Sequence, residues 1–311
     1  MRSVQRLLRG LTCALALLVP AADARAHGVV GKREFIHPFV GDHAPVMNEF
    51  MVHGQYMDNR EDPDGWTASW EIEKKITDDT SLFLEGGGRF HAIPHDHGEV
   101  DGGHMHEDVE VHDSPDASSG FDNLEVGLKH RIFTSERRET LVSLMALVEA
   151  PVGAERAGAE DHAAVGFHGL FARGLGDLPQ GVFWLRPLAV QTDTGVEVPL
   201  GAGSPSTGMV ANVALQYDLS VLHERVAFPS WLERFVISTE LNFETPLGGP
   251  ERGESETFVT TGITWKARPV QVGLAFQVPI EGGSEHRFVV LPMVSWFYDE
   301  TFPRLGRNLI P

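Results

Sequence analysis

The chain has 311 residues, 42% of them hydrophobic, and a formal net charge of -19. An acidic balance of that size argues against nucleic acid as a partner and favours cations or basic partners. Its single cysteine, Cys13, excludes a disulfide framework and paired-thiol chemistry.

Residues 1–26 read as a secretory leader. Arg2, Arg6 and Arg9 precede an apolar run from Leu11 to Val19, and small residues follow, ending in Ala24-Arg25-Ala26. This is the A-x-A cleavage pattern, and the run falls short of the roughly 20 residues of a permanent membrane helix. Cys13 lies inside the leader in a setting unlike a lipoprotein acylation site, so the mature chain, starting at His27, is expected to lack cysteine. Removing four arginines and one aspartate with the leader takes the net charge from -19 to -22. An N-terminal histidine offers an amine and an imidazole to copper, yet no second histidine can be placed beside His27 from sequence.

Residues 27–44 show no alternation and are expected to form a plug or a periplasmic extension. From 45 to 311 a period of two dominates. Strands are expected near 45–57, 65–75, 80–91, 121–133, 138–150, 162–173, 182–197, 207–221, 233–245, 255–267, 269–280 and 286–298. Trp66, Ala68, Trp70 and Ile72 oppose Thr67, Ser69, Glu71 and Glu73. Leu124, Val126 and Leu128 oppose Glu125, Gly127 and Lys129, with Ile132 and Arg131 continuing the two sets. Further on, Met209, Ala211, Val213, Leu215 and Tyr217 oppose Asn212, Gln216 and Asp218, and Ile237, Leu241 and Phe243 oppose Ser238, Glu240 and Glu244.

The connections alternate as well. ITDD, TSERR, GLGDLPQG, HERVAFPSWLE and the stretch from Lys266 to Pro269 fall on one side. Those at 58–64, 92–120, 151–161, 198–206, 246–254 and 281–285 fall on the other and are mostly longer and richer in Gly, Pro and acid. Short inner turns, longer outer loops and an even number of strands of about ten residues describe a closed antiparallel transmembrane β-barrel in the outer membrane. A soluble periplasmic β-sandwich also alternates, with its apolar faces inward. The barrel is preferred because the polar face carries bulky charge, because aromatics such as Trp66, Trp265, Trp296 and Tyr298 gather at strand ends, and because closure leaves no edge strand. On this reading Glu71, Glu73, Glu125, Lys129, Arg131, Asp193, Glu197, Asp218, Glu240 and Glu244 line the lumen. The carboxylates then favour cations or pair with the basic residues. His168 alternates with Phe167 and is another candidate for the lumen.

The stretch FDNLEVGLKHRIFTSERRETLVSL, the GLGDLP turn followed by LRPLAVQTDTGVEVPL, the opening EIEKKITDDTSLFLE and the closing PMVSWFYDETFPRLGRN resemble the Gram-negative outer-membrane family of the phenol-degradation (MetA-pathway) transporter type. The resemblance implies a barrel that moves small, aromatic or hydrophobic compounds. The chain departs from that family in a His-rich loop and in its last residues, Leu309-Ile310-Pro311, so a signal for the barrel assembly machinery would lie elsewhere, at Phe297 or Tyr298.

That loop, HAIPHDHGEVDGGHMHEDVEVHDSPD, packs His91, His95, His97, His104, His106 and His112 among Asp96, Glu99, Asp101, Glu107, Asp108, Glu110 and Asp113. Imidazole suits zinc, copper and nickel, and H-x-H pairs with neighbouring acids let a flexible loop close round one ion. The plainer account is a polar loop whose composition drifted because it need not pack. G-x-S-x-G, H-E-x-x-H, P-loop and dinucleotide patterns are missing, so an enzyme is not expected and no cofactor is required. The expected function is a channel for small solutes or metal ions in outer-membrane lipid. The alternatives are a non-conducting metal-binding surface protein anchored by a barrel, and a soluble periplasmic ligand-binding sandwich.

Overall fold

A computed structural model describes residues 28–59, 65–91, 119–154, 159–201, 206–249, 252–253, 255–280 and 286–310. The expected leader lies outside them, as does residue 27.

Twelve long strands form the wall. They are β1 (Glu49–Asn59), β2 (Gly65–Lys75), β3 (Thr80–His91), β4 (Leu124–Ser135), β5 (Thr140–Ala150), β6 (Ala163–Gly174), β7 (Leu188–Leu200), β8 (Gly208–Asp218), β9 (Phe235–Pro246), β10 (Glu256–Ala267), β11 (Val270–Pro279) and β12 (His286–Trp296). Each pairs antiparallel with its neighbours in the chain, and β12 pairs back onto β1, so the sheet closes and no long edge is left. The closed twelve-stranded antiparallel barrel is the architecture expected from the alternation.

The boundaries differ from expectation where side-chain chemistry overrides the period. The run expected at 182–197 starts only at Leu188; a 3-10 turn over Gln180–Leu185 precedes it. Pro179 and Pro187 bracket that turn, and neither has an N–H to give to a ladder. The run expected to reach 221 stops at Asp218, whose carboxylate accepts from the Ser220 amide at 2.9 Å and caps a short helix, Leu219–His223. This helix and a 3-10 turn at Leu232–Arg234 occupy the unusually long inner connection.

The two faces are sorted oppositely to a soluble sandwich. Leu128, Leu215 and Leu274 point outward and are 44, 49 and 43% exposed, in company with Val126, Leu144, Phe167, Ile237, Ile263 and Phe276. Ser81, Ser143, Glu73, Lys129, Thr260 and Ser295 point inward and are buried. Such an outer surface is stable only against hydrocarbon, so this is a transmembrane barrel of the outer-membrane kind, and the soluble-sandwich alternative falls. No helix among the described residues is long and apolar enough to cross a membrane, so the strands do the crossing. Replacing Val213, mid-strand on the lipid face, with Arg is expected to cost about 2–4 kcal/mol. A lowered urea midpoint in lipid vesicles would show it, and an unchanged midpoint would contradict the lipid-facing assignment.

The interior is not empty. Residues 28–48 enter beside the turn before β5, where a two-residue hairpin pairs Val29–Val30 with Arg33–Glu34. They rise along the wall to Phe39–Asp42 and return to Asn48, next to the start of β1. Val30, Phe35 and Ala44 pack with Phe83, Leu141, Met145, Leu147, Leu170, Ala172 and Ala189 in one buried cluster. Phe39 packs with Met51, Ala275, Val289, Leu291 and Met293 in another. This explains strands such as β5 that are apolar on both faces: Leu144 and Val148 meet lipid while Leu141 and Met145 meet the segment. At the short-turn end residues 297–310 lie against the start of β1 and the end of β2, tied down where the Ile310 amide donates to the Ile76 carbonyl at 2.9 Å and Lys74 Nζ donates to the Leu305 and Arg307 carbonyls. Phe297 and Tyr298, at the head of this stretch, are buried.

Candidate functional site

The wall holds the inserted segment by its backbone. Three of the four amides at its turn are fixed by two carboxylates: Glu240 accepts from the amides of Phe39 (2.7 Å) and Val40 (3.1 Å), and Asp193 accepts from the amide of Asp42 (3.2 Å). On the ascending arm, Gln191 and Gln216 both donate to the Ile36 carbonyl, at 2.6 and 2.7 Å. On the descending arm, Ser143 donates to the Ala44 carbonyl at 2.6 Å and Glu73 accepts from the Met47 amide at 2.8 Å. A chain that crosses a dry interior without secondary structure must satisfy its amides and carbonyls with side chains, and five strands supply them here.

Two anchors fix the ends of the rise. Arg33, buried at the short-turn end, donates to the carbonyls of Arg186 and Pro187 and lies 3.4 Å from the Glu139 carboxylate. The Phe39 ring lies against β10 and β11 over Gly262 and Gly273. A Cβ at either glycine would come within 2.5 or 2.8 Å of the ring, so these positions must lack a side chain for the ring to seat.

Beneath the turn lies a compact polar centre. Lys129 Nζ is 3.0 Å from Glu73 Oε2 with both side chains fully buried, and His43 Nε2 is 3.5 Å from the same carboxylate. The His37 ring lies 4.3 Å from that of His43 and 5.6 Å from that of His53 on β1. Burial holds His37 and His43 well below the usual imidazole value, so both are neutral near pH 7. Burial, then the adjacent Asp193 carboxylate, pushes Asp42 up to about 6.

Above the turn the wall is acidic. Glu71 sits opposite Glu85, Glu85 opposite Glu125 and Glu125 opposite Glu149, one row across β2 to β5. Glu244 faces Glu256 across β9 and β10. Like charges placed directly across a sheet disfavour folding, so the row carries a cost that packing alone would not impose. The lumen thus has a filled half at the short turns and an acid-lined vestibule toward the long loops.

Of the ten side chains assigned to the lumen from sequence, Glu71, Glu73, Lys129, Asp193, Asp218 and Glu240 are buried inside the barrel. Toward the vestibule, Glu125 is partly buried and Glu197 and Glu244 are exposed. Asp218 pairs with Lys266 at 2.8 Å. Arg131, opposite the inward-facing Ser143, stands at the short-turn rim of the barrel, where its guanidinium pairs with Asp79 in the β2–β3 turn. His168 is inside, with Nδ1 2.8 Å from Asp193 Oδ1. Among the six loop histidines, only the backbone of His91 is described, at the end of β3; His95, His97, His104, His106 and His112 lie outside the described residues. The sequence did not single out Gln191, Ser143 or Asp42, and Gln216 was placed only on the polar face of its strand; their signal is uncharged polar character at inward positions, or a lone acid in a segment without period.

No family model matches the sequence, and no curated protein is similar to it in sequence. Solved structures similar in fold include a NanC porin, with a TM-score of 0.49 at 8% identity over 79% of this chain and 98% of that one. A KdgM porin scores 0.47 at 8% identity over 80% and 98%, and LpxR from Salmonella typhimurium scores 0.43 at 12% identity over 80% and 99%. The barrel closes on its own strand pairing, independently of these likenesses.

Proposed function

We propose that the protein is a non-enzymatic outer-membrane channel for small cationic solutes, exported by its leader, whose passage is closed by its own N-terminal segment. The observation that carries this reading is the division of the lumen: an acid-lined vestibule ends on a segment held by hydrogen bonds from side chains of the wall. A single sign of charge in a low-dielectric funnel concentrates the opposite ion. Charge separates this reading from the aromatic or hydrophobic solutes that the phenol-degradation resemblance implies. The test is electrical. In a planar bilayer under a KCl gradient, open events should reverse on the K⁺-selective side, and Gln at Glu85, Glu125 and Glu149 together should move the reversal toward zero. No current from either the full chain or a chain lacking residues 28–47 would remove the channel reading.

The filled half-lumen also favours a second reading, a non-conducting barrel that anchors a metal-binding surface loop. Here His91, His95, His97, His104, His106 and His112 would gather zinc, copper or nickel outside the membrane. Calorimetric titration with each ion should then show binding that disappears when residues 91–112 are deleted. Undiminished binding by the deleted chain would reduce the loop to filler.

A further inference from the structure

We propose that Asp42, His168 and Asp193, bordered by Glu197, bind one divalent first-row transition-metal ion at the floor of the vestibule. This site is separate from the outer loop, and it does not depend on whether solutes pass.

The three side chains come from three places: the turn of the inserted segment, β6 and β7. Each offers one ligand atom, and these atoms lie within 4.8 Å of one another; among the described residues no other such group of three His, Cys, Asp or Glu occurs. The arrangement depends on Gly195. It pairs with His168 across the sheet, and a Cβ there would come 2.5 Å from His168 Nδ1, so only glycine lets the ring lie over β7 between two acids.

The ring itself points to a missing partner. The His168 side chain is 4% exposed; Nδ1 lies 2.8 Å from Asp193 Oδ1, and Nε2 lies 3.8 Å from Glu197 Oε1. Nε2 is buried and has no hydrogen-bond partner among the described residues. A neutral imidazole donates along one edge only, so its other edge turns a bare lone pair toward a carboxylate. An imidazolium would serve both edges but would set one positive charge against the three carboxylates of Asp42, Asp193 and Glu197. The nearby lysine, Lys129, is engaged with Glu73 at 3.0 Å.

Asp193 Oδ2 already accepts from the Asp42 amide and from Asn212 Nδ2, both at 3.2 Å. The two aspartates are therefore held together by the backbone despite their like charge. A divalent ion offsets two of the charges and uses the lone pair. Two carboxylates with one imidazole suit Zn²⁺, Mn²⁺ or Fe²⁺ and are too hard for copper(I). The acidic row above supplies the local cation concentration. Because one ligand belongs to the inserted segment and two to the wall, the ion would cross-link them and hold the lumen closed.

The test uses the full folded chain in detergent, stripped with a chelator and titrated calorimetrically with Zn²⁺. The parent should bind one more equivalent than Asp42→Asn and one more than His168→Gln. His104→Ala/His106→Ala should keep that equivalent, which separates this site from the outer loop. Asp42→Asn is the sharper variant, since losing one of two facing carboxylates should leave the metal-free barrel folded, with the parent's heat-modifiable gel mobility. In parallel, Zn²⁺ should slow hydrogen exchange at residues 39–44 in the parent and not in Asp42→Asn. The proposal is overturned if Asp42→Asn and His168→Gln bind Zn²⁺ with the parent's stoichiometry and affinity, or if the parent gains no protection at 39–44.

Discussion

Deleting residues 28–47 should turn a barrel that passes almost nothing into one that passes small solutes freely. The segment fills the short-turn half of the lumen with Phe35, Ile36, Phe39 and Met47, each at most 3% exposed. A twelve-stranded barrel is wide enough for small molecules once cleared. Liposome swelling with a small sugar or amino acid should therefore speed up on the order of tenfold or more. The wall itself should survive, because its ladders are complete without the segment. Should the deletion assemble poorly, Phe35→Ala/Phe39→Ala gives a milder opening: two emptied apolar seats cost the bound segment several kcal/mol, at about 3–5 kcal/mol per buried Phe. Swelling rates equal to the parent's in both variants would mean that the segment is not the barrier.

The second large effect is expected at Lys129. With its ammonium 3.0 Å from Glu73 and both groups out of water, Lys129→Met leaves a buried carboxylate with only the His43 ring and the Met47 amide for company. Breaking a buried pair from one side costs about 3–5 kcal/mol, whereas replacing both partners by neutral groups costs far less. Lys129→Met should thus lower the unfolding midpoint strongly, and Lys129→Met/Glu73→Gln should recover most of the loss. The cycle isolates the coupling from the packing of the lysine stem. A double variant as unstable as the single would place the cost in packing instead. The Lys129→Met barrel should also hold its segment less firmly, because Glu73 receives the Met47 amide.

The wall was legible in the sequence because one rule governs it. A residue such as Leu215 or Leu274 meets lipid wherever it falls in the barrel, so its neighbour's polarity at one residue's distance carries the information. The largest slip came where a proline pair outranked the period, the Asp218 cap ended another strand early, and the strand expected from 45 begins at Glu49 because the inserted segment runs on to Asn48. The filled lumen obeys no such rule. Gln191 and Gln216 share the Ile36 carbonyl from 155 and 180 residues away, and Glu240 takes the Phe39 amide from 201 residues away. Nothing in the alternation distinguishes an inward glutamine that meets water from one that meets a peptide. The apolar inward residues of β5 were a usable hint, since Leu141 and Met145 have no place in a wet bore. The histidine content drew attention to the outer loop, while the histidines in contact, His37, His43 and His53, stand singly in the sequence and come together only through the return of the chain.

That return has a mechanical consequence. The inserted residues rise from the short-turn end and come back to it before β1 begins, so they form a hook whose shank emerges on one side of the membrane only. Tension applied there, at the N-terminal end of the segment, would peel off its contacts one after another, starting at Arg33, as a zip opens from its end. A molecule arriving through the vestibule meets only the bend and must strain every attachment at once, so the barrel behaves as a latch released from within and resistant to force from outside.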